Sequence, residues 1–108
     1  MDESENLLTK TGKRLLDTPK FPAEWKKIAK VHADALELYR KSDIIWTVLS
    51  PSMLIEKGTK QSKYRAGKDD LLIDSTGHSR ISFDDYAIAF LDELEDPKHL
   101  CERFTVAY

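Results

Sequence analysis

The stretch Ile44-Ile45-Trp46-Thr47-Val48-Leu49-Ser50-Pro51 decides the fold. Ile44 to Leu49 is apolar without alternation, and the run ends at a serine and a proline. A strand with one wet face alternates apolar and polar side chains; a strand covered on both faces does not. Such strands belong to sheets with helices on either side, so residues 44–49 read as a buried strand of an α/β domain.

Working backward, Ser42-Asp43 separates this strand from a helix that should begin at Pro22 or Ala23. Proline suits a first helical position, and Glu24 meets the positive end of the helix dipole. Trp25, Ile28, Ala29, His32, Ala35, Leu36 and Tyr39 recur at three- and four-residue steps and predict one buried stripe. Arg40-Lys41 close the helix with positive charge. Residues 1–20 are polar and end at Thr18-Pro19 and Phe21-Pro22, which predicts an extended lead-in with a disordered acidic start at Met1–Glu5.

Working forward, Pro51 to Arg80 is turn-rich, with short strands expected at Lys63–Ala66 and Leu71–Asp74 as a hairpin-like insertion. Long loops after strands commonly carry substrate contacts. Ser82-x-x-Asp85 then matches a capping box, with Ile81 and Tyr86 as its hydrophobic staple. The helix it opens should bury Phe83, Tyr86, Ala87, Phe90, Leu91 and Leu94, leave the acidic run Asp92–Asp96 in water, and stop at Asp96-Pro97. Phe104–Tyr108 reads as a final strand. Strand 44–49, helix 82–95 and strand 104–108 form one right-handed βαβ unit. The expected organisation is a lead-in over 1–20 and one α/β domain over 21–108.

Composition narrows the function. At 108 residues, with 41% hydrophobic and 33% charged residues, the chain is globular. A net charge of −2 with both signs mixed excludes a field for nucleic acid or an anionic membrane. No apolar run nears the ~20 residues of a membrane span, and the N-terminus lacks a signal-peptide pattern. The single cysteine, Cys101, fits a reducing cytoplasm.

The four glycines, Gly12, Gly58, Gly67 and Gly77, are scattered, so no glycine-rich phosphate loop is present. Tyr64 and Lys68 have the spacing of a Tyr-x-x-x-Lys acid/base pair, which needs a helix to align them. Tyr64 precedes a glycine turn in an extended segment, so the spacing reads as coincidence. His99-x-Cys101, with His32 and His78 far off in sequence, does not make a metal site; a surface histidine and a lightly buried thiol are the default.

Several short motifs in order carry a resemblance. They are Leu15-Leu16-Asp17-Thr18-Pro19-x-Phe21-Pro22, Trp46-Thr47-Val48-Leu49-Ser50-Pro51, Lys63-Tyr64-Arg65-x-Gly67, Ser79-Arg80-Ile81-Ser82-x-x-Asp85-Tyr86-Ala87, Glu93-Leu94-Glu95-x-Pro97-x-His99 and Arg103-Phe104-Thr105-Val106. From Leu7 onward the chain resembles the atypical short-chain dehydrogenases/reductases, an NAD(P)H-binding group described as NADH-flavin reductase-like or epimerase-like.

The resemblance implies the C-terminal part of a Rossmann-like fold, without the N-terminal half that grips the dinucleotide. The chain departs from the family at Glu3-Ser4-Glu5-Asn6, where a small, glycine-rich stretch is usual. It also carries Trp25 with Lys26, Lys27 and Lys30 where a catalytic tyrosine would stand, so no catalytic residue is carried over. By resemblance the loop after the Trp-Thr strand, Ser50, Pro51, Ser52 and Met53, lines the nicotinamide and substrate pocket; an ordinary strand-to-loop exit reads the same way. Trp46 is most simply core.

Two functions follow. One is the substrate-side half of an NAD(P)H-dependent oxidoreductase, truncated or split and not catalytic alone, with weak or no NAD(P)H binding by itself. That half would work only with a complementary N-terminal half. The alternative is a non-enzymatic α/β interaction or remnant protein that self-associates as a homo-oligomer or binds a partner chain. A strand patterned for burial on both faces needs more neighbours than one βαβ unit supplies, so either reading predicts exposed apolar surface.

Overall fold

A computed structural model describes residues 7–10, 12–19 and 21–108. The acidic start Met1–Glu5 and the departure at residues 3–6 lie outside the described residues.

Helix α1 spans Ala23–Lys41, opened by Pro22 and ended at Ser42, whose hydroxyl donates to the Tyr39 carbonyl at 2.7 Å. Strand β1 is Thr47–Ser50, β2 Leu54–Glu56, β3 Arg65–Gly67 and β4 Arg80–Ser82. Helix α2 follows at Phe83–Glu95, and β5 at Glu102–Ala107 closes the fold. The main sheet has the order β1-β5-β3, with β1 and β5 parallel and β3 antiparallel to β5. A second, parallel pair joins β2 to β4.

The sheet is sandwiched between the helices. Val48 clusters with Leu36 of α1 and with Trp46, while the next residue, Leu49, clusters with Tyr86 and Ala89 of α2. Adjacent strand residues point to opposite faces, so α1 and α2 cover opposite sides. Phe104 and Val106 of β5 extend the α2-side core, joined by Ile81. Leu16, Ala29 and Ala33 form a third cluster under Phe21. Within the stretch read as a lead-in, Leu7 and Leu16 are buried and Leu15–Asp17 makes a 3-10 turn.

Several expectations shift. Strand β1 starts at Thr47 rather than Ile44, because its partner begins opposite at Glu102. Just before, Cys101 turns through φ 57° with its amide on the Trp46 carbonyl. Ile44 and Ile45 are left 60% and 76% exposed. Strand β3 begins at Arg65 rather than Lys63, after the left-handed Ser62 at φ 58°. Leu71–Asp74 is not a strand. Asp74 instead gathers the Thr76 amide, the Thr76 hydroxyl and the His78 amide onto Oδ1. The pairing of β2 with β4 has no counterpart in the sequence reading.

Both helices are rolled relative to their apolar stripes. In α1 the buried residues are Ala29, Ala33 and Leu36, and Trp25 and Ile28 face water. In α2 the buried residues are Asp85, Tyr86 and Ala89, and Phe83, Ala87, Phe90, Leu91 and Leu94 are exposed. The capping residue holds as read: Ser82 Oγ accepts from the Asp85 amide at 3.1 Å.

This packing makes a direct prediction. Phe104→Ala should cost about 3–5 kcal/mol, because Phe104 is buried in the α2-side core. Phe83→Ala should change stability by less than about 0.5 kcal/mol, since that ring is in solvent. Urea unfolding of the two variants checks both.

Candidate functional site

The exit of β1 brings Ser50, Pro51, Ser52 and Met53 together at the C-terminal end of the parallel pair. In parallel α/β sheets that end is where strand-to-helix loops build binding crevices. Ser50 and Ser52 are buried and Met53 is 57% exposed. Arg103 donates from Nη1 to the Ser50 hydroxyl at 3.3 Å and from Nε to Asp69 Oδ1 at 2.9 Å. Arg40 of α1 donates to the same Asp69 oxygen at 2.9 Å. This polar seam lies on the α1 side, since Arg103 adjoins Phe104, which packs toward α2.

The hydroxyl of Ser52 donates to the Val106 carbonyl at 2.8 Å, and the Met53 amide donates to Ser79 Oγ at 3.2 Å. The exit is therefore tied to β5 and to the approach of β4. Of its four side chains, Met53 is the one that faces solvent.

A second polar assembly sits at the start of α2. The Asp85 side chain is fully buried and accepts from the Gln61 and Ser62 amides at 3.0 and 3.1 Å. The Tyr108 hydroxyl donates to the same carboxylate at 2.5 Å and lies 2.9 Å from Ser82 Oγ. Burial pushes the Asp85 carboxyl up, but hydrogen bonds from Tyr108, Gln61, Ser62 and Ser82 pull it down further, and the net shift is downward. The carboxylate thus holds the segment between β2 and β3 across the start of α2. The capping-box reading assigned Asp85 only the local turn; its long-range partners were not foreseen.

A third cluster occupies the other end of α2. Glu93, expected in water, accepts from the Lys98 and His99 amides at 2.9 and 3.0 Å. His99 Nδ1 lies 2.8 Å from Glu93 Oε1, and its ring stacks on Phe104 at 4.1 Å. Burial raises the Glu93 carboxyl, yet the bonds from His99 and Lys98 hold it below its ordinary range. His99 is thus half-buried and Cys101 exposed, the reverse of the expected pair. No group of three or more His, Cys, Asp or Glu suited to a metal occurs among the described residues.

Tyr64 and Lys68 do not act together. Tyr64 reaches Asp92 at 3.4 Å and Lys68 reaches Glu102 at 3.4 Å. Burial and the Asp92 charge push the Tyr64 phenol up, away from ready proton exchange. Trp46 is buried and stacks with Tyr39 at 5.9 Å.

No protein-family model matches the chain. It is 45% identical over 95 residues to the uncharacterized protein YwnB of Bacillus subtilis, a match covering 86% of this chain and 45% of YwnB. It superposes with a TM-score of 0.91 on a candidate epimerase from Bacteroides thetaiotaomicron, at 38% identity over 99% of this chain and 50% of that one. A candidate NADH-flavin reductase from Streptococcus pneumoniae gives a TM-score of 0.88 and 38% identity, over 99% of this chain and 53% of that one. The chain spans about half the length of the relatives it matches. Its mixed α/β fold is reductase- and epimerase-like. Among the described residues no helix is long and apolar enough to cross a membrane.

The buried carboxylates set an acid dependence. Asp85 and Glu93 titrate below their ordinary values in the folded state. Their contribution is complete above the unfolded carboxylate range near pH ~4, and is lost as pH falls through the folded values. Asp85→Asn should cost about 1–3 kcal/mol at neutral pH and flatten the acid limb of the stability curve. Urea midpoints from pH 3 to pH 7 measure both effects.

Proposed function

We propose that these residues form the substrate-side half of an NAD(P)H-dependent oxidoreductase of the NADH-flavin reductase-like kind. The observation that carries this is the match at 38% identity to about half of a candidate NADH-flavin reductase. The motif-by-motif resemblance to atypical short-chain dehydrogenases/reductases points the same way and supports reading these residues as the C-terminal half of a Rossmann-like fold.

The residues present fit only one side of a dinucleotide. A pyrophosphate is held by a glycine-rich turn at a free helix N-terminus. Here α1 opens on Pro22 and Glu24, and α2 opens on Ser82 with the Asp85 carboxylate beside it. Neither offers a seat for an anion. The β1 exit fits better as the nicotinamide and substrate side. Ser50 and Ser52 hold its shape, Pro51 stiffens it, and Met53 presents an apolar side chain. NAD(P)H would supply the hydride, and this half would shape the pocket and exclude water. In this reading the chain is not catalytic by itself.

A second reading is favoured by the exposed Phe83, Phe90, Leu91 and Leu94 of α2. It makes the chain a non-enzymatic α/β protein that works by pairing with itself or with another chain.

Titrating NADH and NADPH against the chain, followed by tryptophan fluorescence, tests the first reading. Binding should be weaker than about millimolar, for want of a pyrophosphate seat. Micromolar affinity would show that these residues grip the dinucleotide unaided and would overturn the assignment.

A further inference from the structure

We infer that the cationic segment from Lys57 to Arg65 is a phosphate seat, and that the molecule held at the β1 exit is a phosphomonoester of mononucleotide size. The inference deepens the reductase-half reading and rests on it for the place of the substrate's ring system. What it adds is the chemical class of that substrate.

Residues 57–68 carry Lys57, Lys60, Lys63, Arg65 and Lys68 and no acid, in a chain whose net charge is −2. Lys68 is answered by Glu102 at 3.4 Å. Lys57, Lys60 and Lys63 stand in solvent and make no ion pair among the described residues. Arg65 donates to the carbonyls of Tyr108 and Ile73 and meets no carboxylate among those residues. The flanking acids face other cations: Glu56 lies 3.9 Å from Arg80, and Asp69 takes Arg40 and Arg103. Helix α1 also exposes lysines, but Glu24, Asp34 and Glu37 are interleaved with them. A loop that gathers like charges without counterions raises its own potential, and an anion relieves it.

Strand register puts this segment beside the exit. Ser50 of β1 is opposite Thr105 of β5, and Arg65 of β3 is opposite Ala107. Both therefore reach the same end of the sheet, on either side of β5. Two strand spacings separate them, about 10 Å. A ring resting against Met53, with its phosphate on a short polyol arm, spans that gap.

The segment is fixed before any ligand arrives. The Gln61 and Ser62 amides end on the buried Asp85 carboxylate, and Ser62 holds φ 58°. The cost of ordering then falls on the lysine side chains rather than on the backbone. A polyanion would run past the segment onto a surface whose net charge is negative, so a small phosphate ester fits better.

Riboflavin and flavin mononucleotide differ by the phosphate alone and serve as the probes. Each is titrated into the chain at low salt while backbone amide shifts are followed by NMR. Flavin mononucleotide should bind about tenfold more tightly than riboflavin. The gap should narrow as salt is raised to physiological strength. Its binding should shift the amides of the loop at Lys57, Lys60 and Lys63 as well as those of Ser52 and Met53. Lys57→Gln, Lys60→Gln and Lys63→Gln combined should erase the preference and leave riboflavin affinity unchanged. Lys26→Gln, Lys27→Gln and Lys30→Gln combined, on α1, should leave both unchanged.

No binding of flavin mononucleotide at millimolar concentration, equal binding of the two flavins, or a preference that survives the loop variant would overturn the phosphate seat. Tighter binding of a single-stranded oligonucleotide would overturn the small-ester assignment. A preference for NADPH over NADH that the loop variant abolishes would overturn it too, by giving the phosphate to the cofactor. Flavin mononucleotide shifts confined to the loop, with Ser52 and Met53 unmoved, would leave the seat standing and overturn the reductase reading of the exit instead.

Discussion

The parallel register of Thr47–Ser50 against Glu102–Thr105 is the constraint on which the rest depends. Parallel strands cannot be joined by a tight turn, so the chain must travel from one end of the sheet back to the other. Residues 51–101 make that journey, and helix α2 is its returning leg. Strand alternation then dictates the sides: Val48 meets α1 and Leu49 meets α2. The polar residues of β1 and β5 are sorted by the same rule. Arg103 shares the α1 side with Ser50, where Asp69 and Arg40 complete the charge pairing. Burying a guanidinium is tolerable only with such partners.

Much of this was legible. Helix α1 runs from the residue after Pro22 to Lys41, and α2 runs from the residue after Ser82 to the residue before Asp96, as cap chemistry indicated. Local signals of this kind need no knowledge of neighbours. What a helix faces is another matter. The stripe of Phe83, Ala87, Phe90, Leu91 and Leu94 is correctly apolar, yet the sheet takes Asp85, Tyr86 and Ala89. Periodicity reports that a face prefers to leave water; it does not report whether the described residues contain its cover. The rule failed where the fold leaves a surface unmatched.

The candidate site divides along the same line. Ser50 to Met53 could be placed at a strand exit because a Ser-Pro pair follows an apolar run. Their bonds to Arg103, Val106 and Ser79 span more than twenty residues and leave no local trace. Asp85 is the sharper case. An acid three residues after a serine is the mark of an ordinary cap, and the sequence offers no sign that two loop amides and a tyrosine converge on it. The sole available hint was that Tyr86, its neighbour, had to be buried as part of the staple. Strands β2 and β4, three residues each, are too short to carry a pattern at all.

The convergence on Asp85 also bears on how the parts cohere. Ser82 can begin α2 from within its own turn, since hydroxyl and amide are neighbours. The carboxylate at Asp85, by contrast, depends on residues 61–62 on one side and Tyr108 on the other. Closing loops over those distances costs chain entropy that a bond within one helical turn does not. Starting the helix is therefore a local matter, while satisfying its buried acid is a matter of the whole fold. One dehydrated side chain thus ties three separate segments to a common structure, and its loss would release all three together.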